Sequence, residues 1–146
     1  MAVVFVPKET SAGETRVAAI PETVKGLIKL GLEVQIEQGA GAQAGYQDGD
    51  YRDAGATLVS PDGRATADLV LGIETPAPEL CRRQRAGALL VCALYPGQHL
   101  PAVAALRDTK VTAMALELMP RITRAQKMDI LSSQATCGGY QAVLLA

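Results

Sequence analysis

The sequence is poor in aromatic residues: it has no Trp, and Phe and Tyr together make up only 3% of its 146 residues. Hydrophobic residues nevertheless account for 49%, so the core must be built from Ala, Val, Leu and Ile. Charged residues make up 20%, a composition that excludes a disordered chain. Cores of this kind are typical of α/β proteins with buried parallel strands.

Several further shortages exclude whole classes of function. The formal net charge is −1 and Lys and Arg form no block, so the basic surface of a nucleic-acid-binding protein is missing. No apolar run reaches the roughly 18 residues of a membrane-spanning helix, which argues against direct membrane insertion. The opening MAVVFVPKE has neither the basic region nor the cleavage site of a signal peptide. A cytoplasmic protein is therefore expected.

Cysteine and histidine are also scarce. Cys81, Cys92 and Cys137 are an odd number at no ligand-like spacing, and two of them lie in or beside apolar strand or helix patterns. This pattern predicts buried free thiols in a reducing compartment, with no disulfide framework and no metal site.

The order of apolar segments predicts the architecture. VVFV (Val3–Val6) is typical of a buried strand, Pro21 suits the first turn of a helix that stops at Gly31, and Leu32–Glu37 alternates like a second strand. Further strands are predicted at Ala56–Val59, Asp68–Ile73, Ala88–Leu94 and Val111–Leu118, and further helices before Gly55, around Val103–Leu106 and from about Thr123 to Ala146. This alternation predicts one three-layer α/β domain over residues 1–146, with a mainly parallel sheet of the flavodoxin-like or Rossmann-like kind.

Ligands of such sheets bind outside the carboxyl ends of the strands. The loops expected at that edge begin at Pro7, Glu74, Tyr95 and Met119. The glycine-rich segment GAGAQAG (Gly39–Gly45) does not belong to such a site. Its spacing is one residue longer than GxGxxG, and the segment after it is polar where a dinucleotide-binding helix needs an apolar face. A tight structural turn is the preferred interpretation.

The segment RITRAQKMDILSSQ, from Arg121 to Gln134, follows the last apolar run. Thr123 and Gln126 match a capping box that starts a helix. In a helix with 100° per residue, the polar residues of this segment form a stripe that faces away from the core: Gln126, Asp129, Ser132 and Ser133. The opposite, apolar side faces the core and consists of Met128, Leu131 and Ala135. The stripe is either a solvated helix face or a ligand site near a helix N-terminus, to which Arg121 adds a charge and several donors.

The same stretch carries a family resemblance. PRITRAQKMDILSSQATCGGY (Pro120–Tyr140) closely resembles the start of the long helix in the NAD(H)-binding component of proton-translocating nicotinamide nucleotide transhydrogenase. The similarity covers nearly the whole chain, through PKE…ETRVAAIP, the ExGAG turn, the DxxYxxAGA run and MALELMPRI. All but the Arg121 stretch is shared with the related alanine dehydrogenases, so the resemblance implies their common N-terminal domain fold.

The resemblance also implies a site and a chemistry. Arg121, Gln126, Asp129 and Ser132 match the side chains that surround the nicotinamide and its ribose in the transhydrogenase component. That component exchanges hydride with NADP(H) held on another domain, coupled to proton movement through a membrane domain. Hydride transfer between two nicotinamides needs positioning rather than a protein acid or base, so no catalytic residue is assigned.

Alanine dehydrogenase activity is a less favoured alternative. Those enzymes use an Arg, a Lys and a His, and Arg16 fits the first of these. Glu74 stands in place of the lysine and Tyr95 in place of the histidine, while His99, the single histidine, lies four residues later. An alanine dehydrogenase remnant therefore remains only as an alternative.

The chain ends at Ala146, where the family continues into a Rossmann domain with a true GxGxxG. We therefore expect an incomplete NAD(H) site, no tightly bound cofactor and no catalysis by the isolated chain. The apolar closing segment CGGYQAVLLA should be covered by a homodimer, an exchanged helix or the absent domain. Expected partners are that Rossmann half and the NADP(H)-binding and membrane components, which would place the protein at the periphery of the inner membrane. The alternative is a stand-alone regulatory or assembly module.

Overall fold

The computed structural model describes residues 1–145 as a six-stranded sheet in which every neighbouring pair of strands is parallel. The strands are β1 Val3–Val6, β2 Glu33–Glu37, β3 Thr57–Val59, β4 Leu69–Leu71, β5 Leu89–Cys92 and β6 Thr112–Ala115. Their order in the sheet is β3-β2-β1-β4-β5-β6. The order reverses between β1 and β4, and the crevice at such a reversal is the usual ligand position in open α/β sheets.

Five α-helices and four further helical turns connect the strands in this portion of the chain. The α-helices are α1 Pro21–Lys29, α2 Asp48–Asp53, α3 Pro78–Arg82, α4 Leu100–Asp108 and α5 Ile130–Leu145. The 3-10 turns are Ala42–Ala44, Pro61–Ala65, Leu116–Leu118 and Thr123–Met128. Pro21 begins α1, and Gly31 follows its end with a positive φ of 83°, as predicted.

Alternation along the strands sorts the core into two clusters, one on each face of the sheet. Val4 and Val6 pack with residues of α1 and α2 on one face, whereas Phe5 packs with residues of α3 and α4 on the other. Both faces are thus covered by helices, which is why the central strands are apolar throughout. The predicted three-layer α/β fold is confirmed, with a sheet that is wholly rather than mainly parallel in residues 1–145.

The glycine-rich segment after β2 forms a structural turn, as predicted. It contains the 3-10 turn Ala42–Ala44, and a Cβ on Gly41 would lie 2.5 Å from the Tyr51 Oη. Tyr51 is fully buried, its hydroxyl donates to the Ala19 carbonyl oxygen at 3.0 Å, and burial raises its pKa to about 12. The glycine therefore makes room for a buried tyrosine.

The C-terminal third differs from the prediction in three ways. Strand β6 ends at Ala115 because the chain turns there into the 3-10 helix of Leu116–Leu118. The predicted capping box is wrong: the 3-10 turn has Ile122 at its N-cap position, with no side-chain hydrogen bond, so Thr123 does not start the long helix. Asp129 is extended, with φ −78° and ψ 96°, and separates that turn from α5.

The predicted apolar side of the closing helix does not pack on the core. Met128 is 49% exposed and Leu131 is 37% exposed, and Ala135 is exposed as well. Helix α5 has no buried residue, because it leaves the sheet instead of lying along it. The expectation of an uncovered apolar surface is confirmed, with Tyr140, Val143, Leu144 and Leu145 all more than 60% exposed.

Two smaller expectations concern cysteines and the membrane. Cys81 and Cys92 are buried free thiols as predicted, and burial raises the pKa of Cys92 to about 12, whereas Cys137 is free but exposed on α5. None of the helices described here is both long and apolar enough to cross a bilayer.

The Gly41 contact gives a direct stability test. Gly41→Ala should lower the free energy of unfolding by about 1–3 kcal/mol, because the new methyl group overlaps the buried Tyr51 ring. The backbone itself accepts alanine, since φ is −88°. Urea unfolding monitored by circular dichroism measures the change.

Gly49→Ala in α2 is the matched control. A Cβ there meets no atom within 4 Å, so this variant should be neutral or stabilised by up to about 1 kcal/mol. Equal destabilisation by both substitutions would contradict the packing argument.

Candidate functional site

A large pocket of about 530 Å³ opens where the strands end. Its polar lining comes from four separate segments: Arg16 after β1, Glu74 after β4, Tyr95 after β5 and Gln134 on α5. Its apolar walls are Val17, Ile20, Ala44, Ile73, Leu116, Ile130 and Leu131. The predicted loops after β1, β4 and β5 are thus confirmed as lining one crevice, whereas Met119 does not line it.

Carboxylates fix the loops at this edge of the sheet by accepting backbone N–H groups. After β1, the Lys8 N–H donates to Glu37 at 3.1 Å; after β4, the Ile73 N–H donates to Glu9 at 2.7 Å. After β5, the N–H groups of Leu94 and Tyr95 both donate to Glu117, at 2.9 and 2.7 Å. Glu37 ends β2, Glu9 lies in the loop after β1, and Glu117 lies in the 3-10 turn after β6. Each strand end is thus tied to a segment at the end of a neighbouring strand.

Arg16, the cation that lines the large pocket, is paired with a carboxylate outside the lining. Arg16 Nε donates to Glu14 Oε1 at 2.8 Å, and this hydrogen bond lowers the pKa of Glu14 and raises that of Arg16. Glu9 is desolvated, and its burial raises the pKa of its carboxyl group despite the bond from Ile73. Glu74 is exposed and is the carboxylate that lines the pocket itself. The lining therefore carries one cation, Arg16, and one carboxylate.

The four residues predicted from the Arg121 stretch line a second pocket. Arg121, Gln126, Asp129 and Ser132 surround an open cavity of about 280 Å³, together with Ile122 and Thr123. These residues do not lie on one helix: two precede the extended Asp129 and one follows it. The structure thus brings the four side chains together by a turn rather than by the predicted helical stripe. Ser133 of that stripe is absent from the lining and donates instead to the Ile130 carbonyl oxygen.

Asp129 caps helix α5. Its Oδ1 accepts the backbone N–H groups of Leu131 at 3.0 Å and Ser132 at 3.2 Å, and its Oδ2 accepts the Ser132 hydroxyl at 2.6 Å. These bonds, with the Ser132 hydroxyl first, lower the pKa of Asp129. The capping role that the sequence assigned to Thr123 therefore belongs to Asp129, six residues later.

The first turns of α5 form a wall between the two pockets. Ile130, Leu131 and Gln134 line the large pocket, whereas Asp129 and Ser132 line the open one. Gln134 Oε1 accepts a hydrogen bond from Arg16 Nη1 at 3.0 Å, across 118 residues of sequence. The two pockets are therefore neighbours that share one structural element.

Several structurally important residues have no signal in the sequence. Glu9, Glu37 and Glu117 hold the strand ends through contacts between distant positions, and no periodicity marks them. Arg64 is charged yet only 5% exposed. Within residues 1–145, no group of three or more His, Cys, Asp or Glu is arranged to hold a metal ion.

Comparison with known proteins assigns the family. The profile of the family described as "Alanine dehydrogenase/PNT, N-terminal domain" matches residues 5–138. The chain belongs to this family. An NAD(P) transhydrogenase α-subunit protein from Rhodospirillum rubrum is 45% identical over 97% of this chain. The alanine dehydrogenase of Bacillus subtilis is 31% identical over 96% of the chain.

Solved structures agree with this assignment to the alanine dehydrogenase/PNT N-terminal domain family. A transhydrogenase from Sinorhizobium meliloti superposes with a TM-score of 0.95 over 99% of this chain, at 42% identity. An L-alanine dehydrogenase superposes with a TM-score of 0.75 over 79% of the chain, at 32% identity. The resemblance and fold predicted from the sequence are confirmed.

The chain is much shorter than these relatives. It spans 38% of the length of the Rhodospirillum rubrum protein, 36% of that of the Bacillus subtilis enzyme and 43% of the Sinorhizobium meliloti chain.

Glu9 generates a prediction about pH. Because its folded-state pKa is raised above its ordinary value of 4.5, the folded protein holds a proton that the unfolded chain releases first. Ionisation of Glu9 therefore costs stability as pH rises from about 4.5 through the raised pKa. Glu9→Gln, which cannot ionise, should gain stability relative to the wild type across that window. Unfolding midpoints from about pH 4 to about pH 8 measure the difference.

Glu22→Gln, at an exposed position in α1, is the control for a general change in charge. A constant difference between Glu9→Gln and the wild type over the whole pH range would contradict the assignment.

The Asp129 cap on α5 can be tested by substitution. Asp129→Ala should fray the first turn of α5, because the Leu131 and Ser132 N–H groups lose their acceptor. Cα chemical shifts of residues 130–134 should move towards random-coil values. Asp129→Asn keeps an acceptor oxygen and should retain shifts close to those of the wild type. Unchanged chemical shifts of residues 130–134 in Asp129→Ala would show that the cap is unimportant.

Proposed function

We propose that this chain contributes the nicotinamide-side portion of an NAD(H) site to a transhydrogenase α subunit. The pocket formed by Arg121, Gln126, Asp129 and Ser132 carries the proposal. Its volume of about 280 Å³ is at the small end for organic ligands, which suits one end of a dinucleotide rather than a whole one. The names and lengths of the relatives support the rest of the assignment.

The polar groups of this pocket have distinct capacities. Arg121 is exposed and offers up to five hydrogen-bond donors at the rim of the pocket. Gln126 both donates and accepts, which matches the carboxamide of a nicotinamide. The Ser132 hydroxyl donates its hydrogen bond to Asp129, which leaves its oxygen to accept a hydrogen bond from a ligand.

Asp129 retains acceptor capacity despite capping α5. Its carboxylate accepts three hydrogen bonds, and an ionised carboxylate has about four acceptor positions, so one position remains for a hydroxyl such as that of ribose. Its pKa is lowered by the bonds from Ser132, which keeps it ionised at neutral pH. The residue thus fixes the helix and presents an acceptor at the same time.

The chemistry proposed is hydride transfer between NAD(H) here and NADP(H) on another component. Bound NAD(H) supplies the hydride chemistry; the residues of this chain orient the ring and its ribose and carry no proton to or from it. The isolated chain is proposed to bind NAD(H) weakly and to be inactive, because relatives more than twice as long carry the named activity. The same proposal includes homodimer formation, assembly with the other transhydrogenase components and a position at the membrane periphery.

The large pocket does not favour alanine dehydrogenation as the alternative. Arg16, Glu74 and Tyr95 meet there, so the positions that should carry lysine and histidine bear a carboxylate and a phenol. His99 is exposed at the N-cap position of α4 and is not among the lining residues. A carboxylate beside Arg16 would weaken binding of an oxo acid through like-charge repulsion.

A chimaera tests the proposal. In the Rhodospirillum rubrum relative, the segment matching this chain is replaced by residues 1–146, and hydride transfer and NADH binding are measured. Arg121→Ala in the chimaera should weaken NADH binding by about tenfold or more, because a charge-assisted hydrogen bond is lost. Arg124→Ala is the matched control: Arg124 is exposed on the 3-10 turn that follows Arg121, but it does not line the pocket.

Equal effects of the two arginine substitutions would contradict the proposal. An active chimaera in which Arg121→Ala and Asp129→Ala both leave NADH binding unchanged would favour a regulatory or assembly module instead. NADH binding to the isolated chain, measured by titration calorimetry, is expected to be weak or absent.

A further inference from the structure

Arg64 is the most buried charged residue in the described portion of the chain. It is 5% exposed, and its guanidinium carbon lies 5.8 Å from the centre of the Phe5 ring. Its Nη1 is fully buried and has no hydrogen-bond partner among residues 1–145. A buried charged donor without a partner costs stability, so its position calls for a binding partner.

No carboxylate among these residues neutralises Arg64. Glu37 and Glu9 are near enough to attract it, but neither forms an ion pair with it within 4.0 Å. The ring of Phe5 supplies a favourable contact with the cation, but a ring face does not replace a hydrogen-bond acceptor for Nη1.

The local sequence places this charge in the interior. Arg64 lies in the 3-10 turn Pro61–Ala65, which packs closely against the sheet. A Cβ on the preceding Gly63 would lie 2.9 Å from the Phe5 ring and 2.8 Å from Val59. Only glycine fits at that distance, so Gly63 is what allows the turn to approach the sheet and direct Arg64 inwards.

Arg64 lines a small pocket between the loops that follow β1 and β4, where the strand order reverses. Lys8, Thr10 and Ser11 line the same pocket, and all three are exposed. Two carboxyl groups, those of Glu9 and the exposed Glu74, line it as well. Glu9 accepts the Ile73 N–H, and burial raises its pKa, which reduces the negative charge that opposes an anion. Thr75 also lines it, but its hydroxyl already donates to the carbonyl oxygens of Ala93 and Leu94. The free donors around the pocket therefore come from Arg64 and from the loop after β1.

We propose that this pocket is an oxyanion site, in which Arg64, Lys8 and the hydroxyls of Thr10 and Ser11 bind a phosphate or carboxylate group. Its free volume of about 20 Å³ admits a single water-sized group, so one oxygen of the anion enters beside the Arg64 guanidinium. The rest of the anion lies at the mouth, beside Lys8. Arginine suits this role because its planar fork matches the geometry of phosphate and carboxylate oxygens.

The site is separate from the pocket proposed for the nicotinamide. The two share no lining residue, and the oxyanion pocket includes Val70 and Leu90, which belong to the sheet. It lies beside the large pocket, with which it shares Gly72 and Glu74. Failure of one proposal therefore leaves the other standing.

Thermal unfolding in phosphate, acetate and chloride at matched ionic strength tests the site. Phosphate or acetate should raise the unfolding midpoint in a saturable way that chloride does not reproduce, and the difference between the two identifies a phosphate or a carboxylate ligand. Arg64→Met should abolish this response and, without oxyanion, should be at least as stable as the wild type, because an unpaired buried charge has been removed. Arg52→Met, at an exposed position in α2, should keep the full response.

Equal responses to all three anions, or an oxyanion response that persists in Arg64→Met, overturn the proposal. If Arg64→Met does not fold, two other measurements test the site. Lys8→Met alters an exposed side chain and should weaken phosphate or acetate binding by about tenfold. Side-chain nitrogen resonances of Arg64 in the wild type should shift on titration with the same anion. Unchanged binding in Lys8→Met or unshifted Arg64 resonances contradict the site.

Discussion

The functional edge of this protein depends on hydrogen bonds from backbone N–H groups to glutamate carboxylates. A strand that leaves a parallel sheet leaves N–H groups without ladder partners, and a buried donor of this kind is costly. Glu37, Glu9 and Glu117 supply the acceptors for the ends of β1, β4 and β5. Each carboxylate lies at or just beyond the end of a neighbouring strand, so the loops are ordered as a connected set. Arg16, Glu74 and Tyr95 stand on these loops and owe their convergence to this arrangement.

The sequence predicts the central sheet well because there local pattern and tertiary packing agree. Val3–Val6 is apolar and β-branched, and it occupies the middle of the sheet with both faces covered. Pro21 and Gly31 mark the ends of α1 through backbone preferences that act locally. The C-terminal third is predicted less well, because α5 has no core to pack on and its start is decided by Asp129 rather than by the more conspicuous Thr123.

The residues of the pocket at Arg121 can be identified from the sequence, whereas the carboxylates at the strand ends and the buried Arg64 cannot. The group at Arg121 could be found because its residues are close together and match a family pattern, although the helical spacing used to join them was wrong. The carboxylates at the strand ends act on residues 22 to 64 positions away, and burial of Arg64 depends on a glycine beside it and an aromatic ring in β1. Contacts of this kind exist only after the sheet has formed, so no one-dimensional pattern carries them.

Helix α5 has a mechanical property that follows from how it is attached. It is held near its first turns, by the Asp129 cap and by the bond from Arg16 to Gln134, while the remainder projects into solvent. Sixteen residues give a rod about 24 Å long, so a tilt of about 10° at its base displaces its far end by about 4 Å. The base is also the partition between the two pockets. A partner that binds the far end of α5 and tilts the helix would therefore change the shape of both pockets. A ligand that shifts the base of α5 would in turn displace its far end.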